Sequence, residues 1–139
     1  MKIDPSLNHV NLMTHDMDRM VEFYTRTMGF RVGPRPPFNN EGTWLYLGDF
    51  ALIHLVKTDC EPFNKDPKIA HFAFSGTGMS EFAAHLRELD VPHIFRAVPK
   101  TEIVQVVLRD PDRNVFEVLF DRSSMEGAEP YRWDEPMPT

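Results

Sequence analysis

The chain repeats itself, and that constrains its fold more than any other feature. His9 and His71 stand 62 positions apart, each in a short alternating run, Asn8-His9-Val10-Asn11-Leu12 and Ala70-His71-Phe72-Ala73-Phe74. Met28-Gly29-Phe30 closes a helical pattern in the first half where Leu89-Asp90-Val91 closes one in the second, 61 positions later. His54 follows His9 by 45 residues, and Glu117 follows His71 by 46. An internal repeat of about 60 residues therefore organises the sequence.

Each half reads as the same series of elements. In Leu7–Met13, Val10 and Leu12 share one face and His9 and Asn11 the other, the period of a strand with one apolar side. Asp16 or Asp18 offers an N-cap. Met20, Phe23, Tyr24 and Met28 then recur at helical spacing up to Gly29. Phe30–Gly33 predicts a strand, broken by Pro34-Arg35-Pro36-Pro37, which neither a central strand nor a helix interior accommodates. After a loop of about eight residues, Thr43–Leu47 and Ala51–Val56 flank Gly48-Asp49-Phe50 as a hairpin with Trp44 and Tyr46 on one face.

The second half gives a strand at Ile69–Phe74 and a helix at Met79–Leu89 with Ser80 as its N-cap. Strands follow at His93–Val98, Ile103–Arg109 and Val115–Phe120. The expected order is strand, helix, three strands, twice over, within one domain spanning 1–139. The units are 5–57 and 69–120, the Pro-bearing polar stretch 58–68 joins them, and a tail occupies 121–139, over the surface or across a partner subunit.

A chain of 139 residues with 42% hydrophobic content suits one domain with a real core and excludes a disordered one. Its net charge is −6 and its basic residues are scattered, unlike the clustered footprint of a nucleic-acid binder. The single Cys60 fits a reducing cytoplasm. No run approaches the ~20 apolar residues of a membrane span, and no apolar leader follows Met1-Lys2.

The chemistry-bearing residues fall at the repeat positions. Glu117 sits inside Val115-Phe116-Glu117-Val118-Leu119-Phe120, directly after the turn-forming Asp110-Pro111-Asp112-Arg113-Asn114. An ionised carboxylate in such a strand is costly unless paired, protonated or bound to metal; the plain alternative is a Glu on the solvent side. His9 or His71 alone would read as a satisfied core histidine. At matching repeat positions, with His54 and Glu117, they favour a divalent metal, because imidazole and carboxylate offer lone pairs at fixed directions. Trp44, Tyr46, Gln105 and Arg35 are the substrate-binding candidates. For Trp44 and Tyr46 the alternative is core or dimer-interface packing, and for Arg35 a solvated loop.

These runs carry a resemblance. Asn8-His9-Val10, Phe23-Tyr24-Thr25-Arg26-Thr27-Met28-Gly29-Phe30, Ala70-His71-Phe72-Ala73-Phe74 and Asp110–Glu117 resemble the vicinal oxygen chelate superfamily across residues 7–120. That superfamily includes glyoxalase I, methylmalonyl-CoA epimerase, fosfomycin-resistance thiol transferases, extradiol dioxygenases and metal-free bleomycin-resistance proteins. The resemblance implies an α+β fold of two βαβββ repeats forming a cupped mixed sheet with helices on the outer face. It also implies a homodimer whose sites take ligands from both chains.

For the site it implies His9, His71 and Glu117 as ligands of one divalent ion, Zn, Ni, Mn or Fe(II). His54 occupies the fourth-strand position where glyoxalase I has Glu and the epimerase Gln. It is therefore either a fourth ligand or an acid/base beside the metal, with packing as the alternative. The leading expectation is a glyoxalase-like lyase or isomerase in which His54 or Glu117 moves the proton, with glutathione or another thiol as co-substrate. An extradiol-type dioxygenase using non-haem Fe(II) ranks second, because Val107 stands where its signature expects Tyr and Arg113 where it expects Gly or Pro. A non-catalytic small-molecule binder is the third reading.

Overall fold

A computed structural model describes residues 7–59, 71–98 and 101–125. The expected strand residues Ile69 and Ala70, most of the joining stretch, Cys60 and the tail beyond Met125 lie outside the described residues. The chain divides into two compact units, Met1–Asn64 and Lys65–Thr139.

In the first unit β1 (Val10–Thr14), α1 (Met17–Met28), β2 (Arg31–Gly33), β3 (Gly42–Leu47) and β4 (Phe50–Lys57) follow in order. The alternation in β1 is realised with Leu12 and Thr14 buried and Asn11 and Met13 exposed. Helix α1 begins where the Asp16 side chain accepts a hydrogen bond from the Arg19 N–H, and ends at left-handed Gly29. Its buried stripe, Met17, Met20, Tyr24 and Thr27, has the three-to-four spacing that faces a sheet. Tyr24 and Met20 are fully buried, as are Leu45, Ile53 and Leu55 of β3 and β4. The sheet order is β1-β4-β3-β2, with β1 and β4 parallel and the other pairs antiparallel.

The second unit repeats this plan with β5 (Phe72–Ser75), α2 (Met79–Glu88), β6 (His93–Ala97), β7 (Ile103–Arg109) and β8 (Val115–Asp121), followed by a 3-10 turn at Arg122–Met125. Its order is β5-β8-β7-β6, again with the first and last strands parallel. Met79, Ala83 and Leu86 of α2 are fully buried, as are Val104, Val106, Leu108 and Phe116 of the sheet. Helix α2 starts earlier than a Ser80 cap would set it. Gly78, at φ 73°, holds the N-cap position without a side-chain bond, so Ser80 falls inside the first turn. The fold is thus α+β, with a four-stranded mixed sheet in each unit.

The repeat extends to register. Asn11 pairs with His54 across β1 and β4, and Ala73 pairs with Glu117 across β5 and β8. His9 and His71 each lie two residues before those partners, so each unit sets one histidine diagonally beside its last-strand polar residue on the same face. Among the described residues no helix is long and apolar enough to cross a membrane.

Candidate functional site

In the first unit the face bearing His9 and His54 is a stack of rings. The His54 ring lies 3.9 Å from Trp44 at an interplanar angle of 4°, and 3.9 Å from His9 at 19°. Strand β4 runs between β1 and β3, so the two neighbours cover opposite faces of the imidazole and leave its edge for chemistry. Burial, first, and then the nearby His9 and Arg35 push the His54 pKa below its usual value, against a backbone hydrogen bond with Ala51 that pulls it up. A neutral ring with a lone pair is the result at neutral pH. His9 is exposed, and its Nδ1 lies 2.8 Å from Asn8 Oδ1. With that oxygen as acceptor, His9 holds its proton on Nδ1 and keeps the Nε2 lone pair for a ligand.

This face carries a cavity of about 670 Å³ whose lining includes His9, Asn11, Arg35, Phe38, Trp44 and His54. Arg35 comes from the loop between β2 and β3; its Nη2 donates to the Asn40 carbonyl at 2.9 Å and to Asn40 Oδ1 at 2.7 Å. Both ends of that loop are held by close approach. A Cβ on Gly33 would meet Tyr46 Cδ2 at 2.5 Å, and one on Gly42 would meet the Leu55 carbonyl at 2.5 Å and Arg35 Nη2 at 3.1 Å. Tyr46 is turned to this edge and does not line the cavity. Its hydroxyl donates to the Pro34 carbonyl at 2.7 Å, and Arg31 lies 5.1 Å over its ring.

In the second unit Glu117 is buried, at 5% exposure, and on the far side of β8 from Phe116 and Val118. Gln105 Nε2 donates to Glu117 Oε2 at 2.7 Å, and His71 Nε2 is 3.8 Å from the same oxygen. Gln105 thus touches the carboxylate. The turn before β8 is built as its composition suggests, with Asp110 accepting from the Asn114 backbone and side-chain amides, each at 2.8 Å.

The donors fit a divalent ion in kind: two imidazoles with Nε2 available or facing a carboxylate, and one buried carboxylate with a hydrogen-bonded outer partner. Each unit brings two of the four residues together. Among the described residues no group of three or more His, Cys, Asp or Glu is gathered as a metal cage.

A family model described as the Glyoxalase/Bleomycin resistance protein/Dioxygenase superfamily matches residues 6–118. The chain belongs to that superfamily. Members of the glyoxalase superfamily are mostly enzymes, generally bind a divalent metal and small molecules, and often form dimers. A protein of Arabidopsis thaliana named Glyoxylase I 4 is 28% identical over 120 residues, 81% of this chain and 69% of that one. Among solved structures, a glyoxalase family protein of Bacillus anthracis superposes with TM-score 0.71 at 24% identity, over 87% of this chain and 98% of that one. The lactoylglutathione lyase of Agrobacterium tumefaciens gives 0.65 at 19% identity, covering 91% and 99%. At these identities the structural likeness speaks for the fold, and the glyoxalase superfamily hosts several chemistries on it.

Sequence reasoning missed Asn11, Phe38, Asn40 and Phe50, all of which line the cavity. Asn11 carried a signal, since it shares the His9 face of β1 two residues on. Phe38 and Asn40 lie in a loop with no periodicity to read.

Proposed function

We propose that the protein is a divalent-metal-dependent lyase or isomerase of the glyoxalase type, with His9, His71 and Glu117 as metal ligands. The observation that carries this reading is the buried Glu117 carboxylate. It is bonded by Gln105, faced by His71, and placed at the repeat position that His54 holds in the first unit. A carboxylate kept out of water in that setting suits cation binding.

A bound divalent ion supplies Lewis acidity, polarising adjacent oxygens of the substrate. The chain's own residues do the rest. Gln105 orients Glu117. Asn8 fixes the His9 tautomer. His54, neutral and held rigid between two rings, offers its edge as the base that takes a proton from the carbon bearing oxygen and sulfur and returns one to the neighbouring carbonyl carbon. Together with passage of the hydroxyl proton to the former carbonyl oxygen, that transfer turns the hemithioacetal of a 2-oxoaldehyde into a 2-hydroxy thioester with no atom gained or lost, so glutathione or another thiol serves as co-substrate.

Metal analysis of protein purified without added ions tests the reading, together with loss of a methylglyoxal–glutathione hemithioacetal on nickel or zinc reconstitution. Bound metal that disappears in His71→Ala supports it. Protein that takes up no divalent metal overturns it, and dioxygen consumption with catechols on iron reconstitution would transfer the site to ring cleavage.

A further inference from the structure

We infer that the cavity of the first unit takes a ligand bearing a flat aromatic group and a carboxylate, with the carboxylate on Arg35 and the ring against Phe38. The inference deepens the reading above, and rests on it in taking this cavity for the substrate's place. A volume of about 670 Å³ falls in the range of small-molecule sites, roughly 300–1,000 Å³.

Charge selects an anion. Among the described residues Arg35 donates only to the neutral Asn40, and no carboxylate there pairs with its guanidinium. Its Nε is buried with no hydrogen-bond partner. A partly desolvated cation without a counter-charge favours an anionic ligand. Asp49 also lines the cavity, but it lies in the exposed β3–β4 turn, where water screens it.

Apolar surface selects a ring. Phe38 and Phe50 border the cavity while 56% and 70% exposed, and covering such surface is favourable at about 25 cal/mol per Å². The Arg35 guanidinium lies 5.1 Å from the Phe38 ring centre, and Phe38 lies 6.2 Å from Trp44. An acid seated on Arg35 therefore brings the group next to its carboxylate directly to an aromatic face. Rings pair favourably at such separations. A flexible alkyl acid would leave that face less well covered and would lose rotamer freedom on binding.

Binding is measurable without metal or turnover. In chelator-treated full-length protein carrying Trp133→Phe, Trp44 is the sole tryptophan, and its fluorescence reports on titration with benzoate, phenylacetate, benzamide and acetate. Saturable quenching by benzoate and phenylacetate is expected, with benzamide and acetate at least tenfold weaker. Arg35→Gln weakens benzoate about tenfold or more and leaves benzamide unchanged. Phe38→Ala, at a position 56% exposed, weakens benzoate without affecting acetate. Equal affinity for benzamide and benzoate, no saturable quenching, or benzoate binding unchanged in both variants overturns the inference. Absent benzoate binding beside retained metal uptake sinks this inference alone. Benzoate binding without metal uptake sinks the lyase reading alone.

Discussion

Trp44 and His54 lie ring on ring, their centres 3.9 Å apart and their planes within 4°. The contact joins directly paired residues of β3 and β4, so it couples the sheet's stability to the placement of the imidazole. Trp44→Ala should lower unfolding free energy by about 1–3 kcal/mol, less than a fully buried Trp because Trp44 is half-buried, and Trp44→Phe by less than half of that. Urea denaturation of the two variants checks the order.

The pH dependence follows from the same stack. His54 in the folded chain titrates below the ordinary value of 6.5, so on acidification the unfolded chain takes up its proton first. The stability due to a neutral His54 is complete above about 6.5 and is lost as pH falls from there toward the folded-state value. His54→Gln should flatten that limb of a stability–pH curve. By NMR, Arg35→Gln and His9→Asn should each raise the His54 midpoint, since both residues hold it down.

Gln105 contributes through Glu117. Gln105→Leu removes the donor at 2.7 Å and leaves a buried carboxylate oxygen without it, at a cost of about 1–3 kcal/mol. With Glu117 as the proposed ligand, metal affinity should fall about 10- to 100-fold, as for outer partners of metal ligands generally. Calorimetric zinc titration measures it, and Gln105→Asn should not rescue it because the shorter chain falls short of the carboxylate.

At Gly42 the tight neighbour is backbone. Gly42→Ala sets a methyl 2.5 Å from the Leu55 carbonyl, which forces β3 away from β4 or moves Arg35. A loss of about 1–3 kcal/mol is expected, as for overpacked sites, with weaker benzoate quenching at temperatures where the variant is folded.

Asp110→Ala removes both acceptors that hold Asn114. The β7–β8 turn should loosen and stability fall by about 1–3 kcal/mol, with faster amide exchange at Asn114 as the local signature.

Much of the fold was legible because its determinants are local. Asp16, Gly29 and the two-residue alternation of β1 mark their own ends and faces, and the spacing of His9, His54, His71 and Glu117 carried the register into view. Where the deciding contact crosses strands, the sequence was silent. Tyr46 alternates with Trp44 as a cavity residue would, yet the pairing of β2 with β3 brings it over Gly33 and within reach of the Pro34 carbonyl. Gln105 likewise shows its role only once β7 is set against β8. Ser80 has good capping chemistry, but left-handed Gly78 starts the helix ahead of it.

The loop between β2 and β3 is pinned at Gly33 and Gly42 and carries Arg35, Phe38 and Asn40 between them. Its ends answer to the sheet, while its middle is tied within itself by Arg35 and Asn40 and turns Phe38 to the cavity. Such an arrangement works as a socket with an exchangeable insert: substitutions at 36–40 should change the cavity wall while the strands, the helices and the stacked His9 and His54 stay as they are.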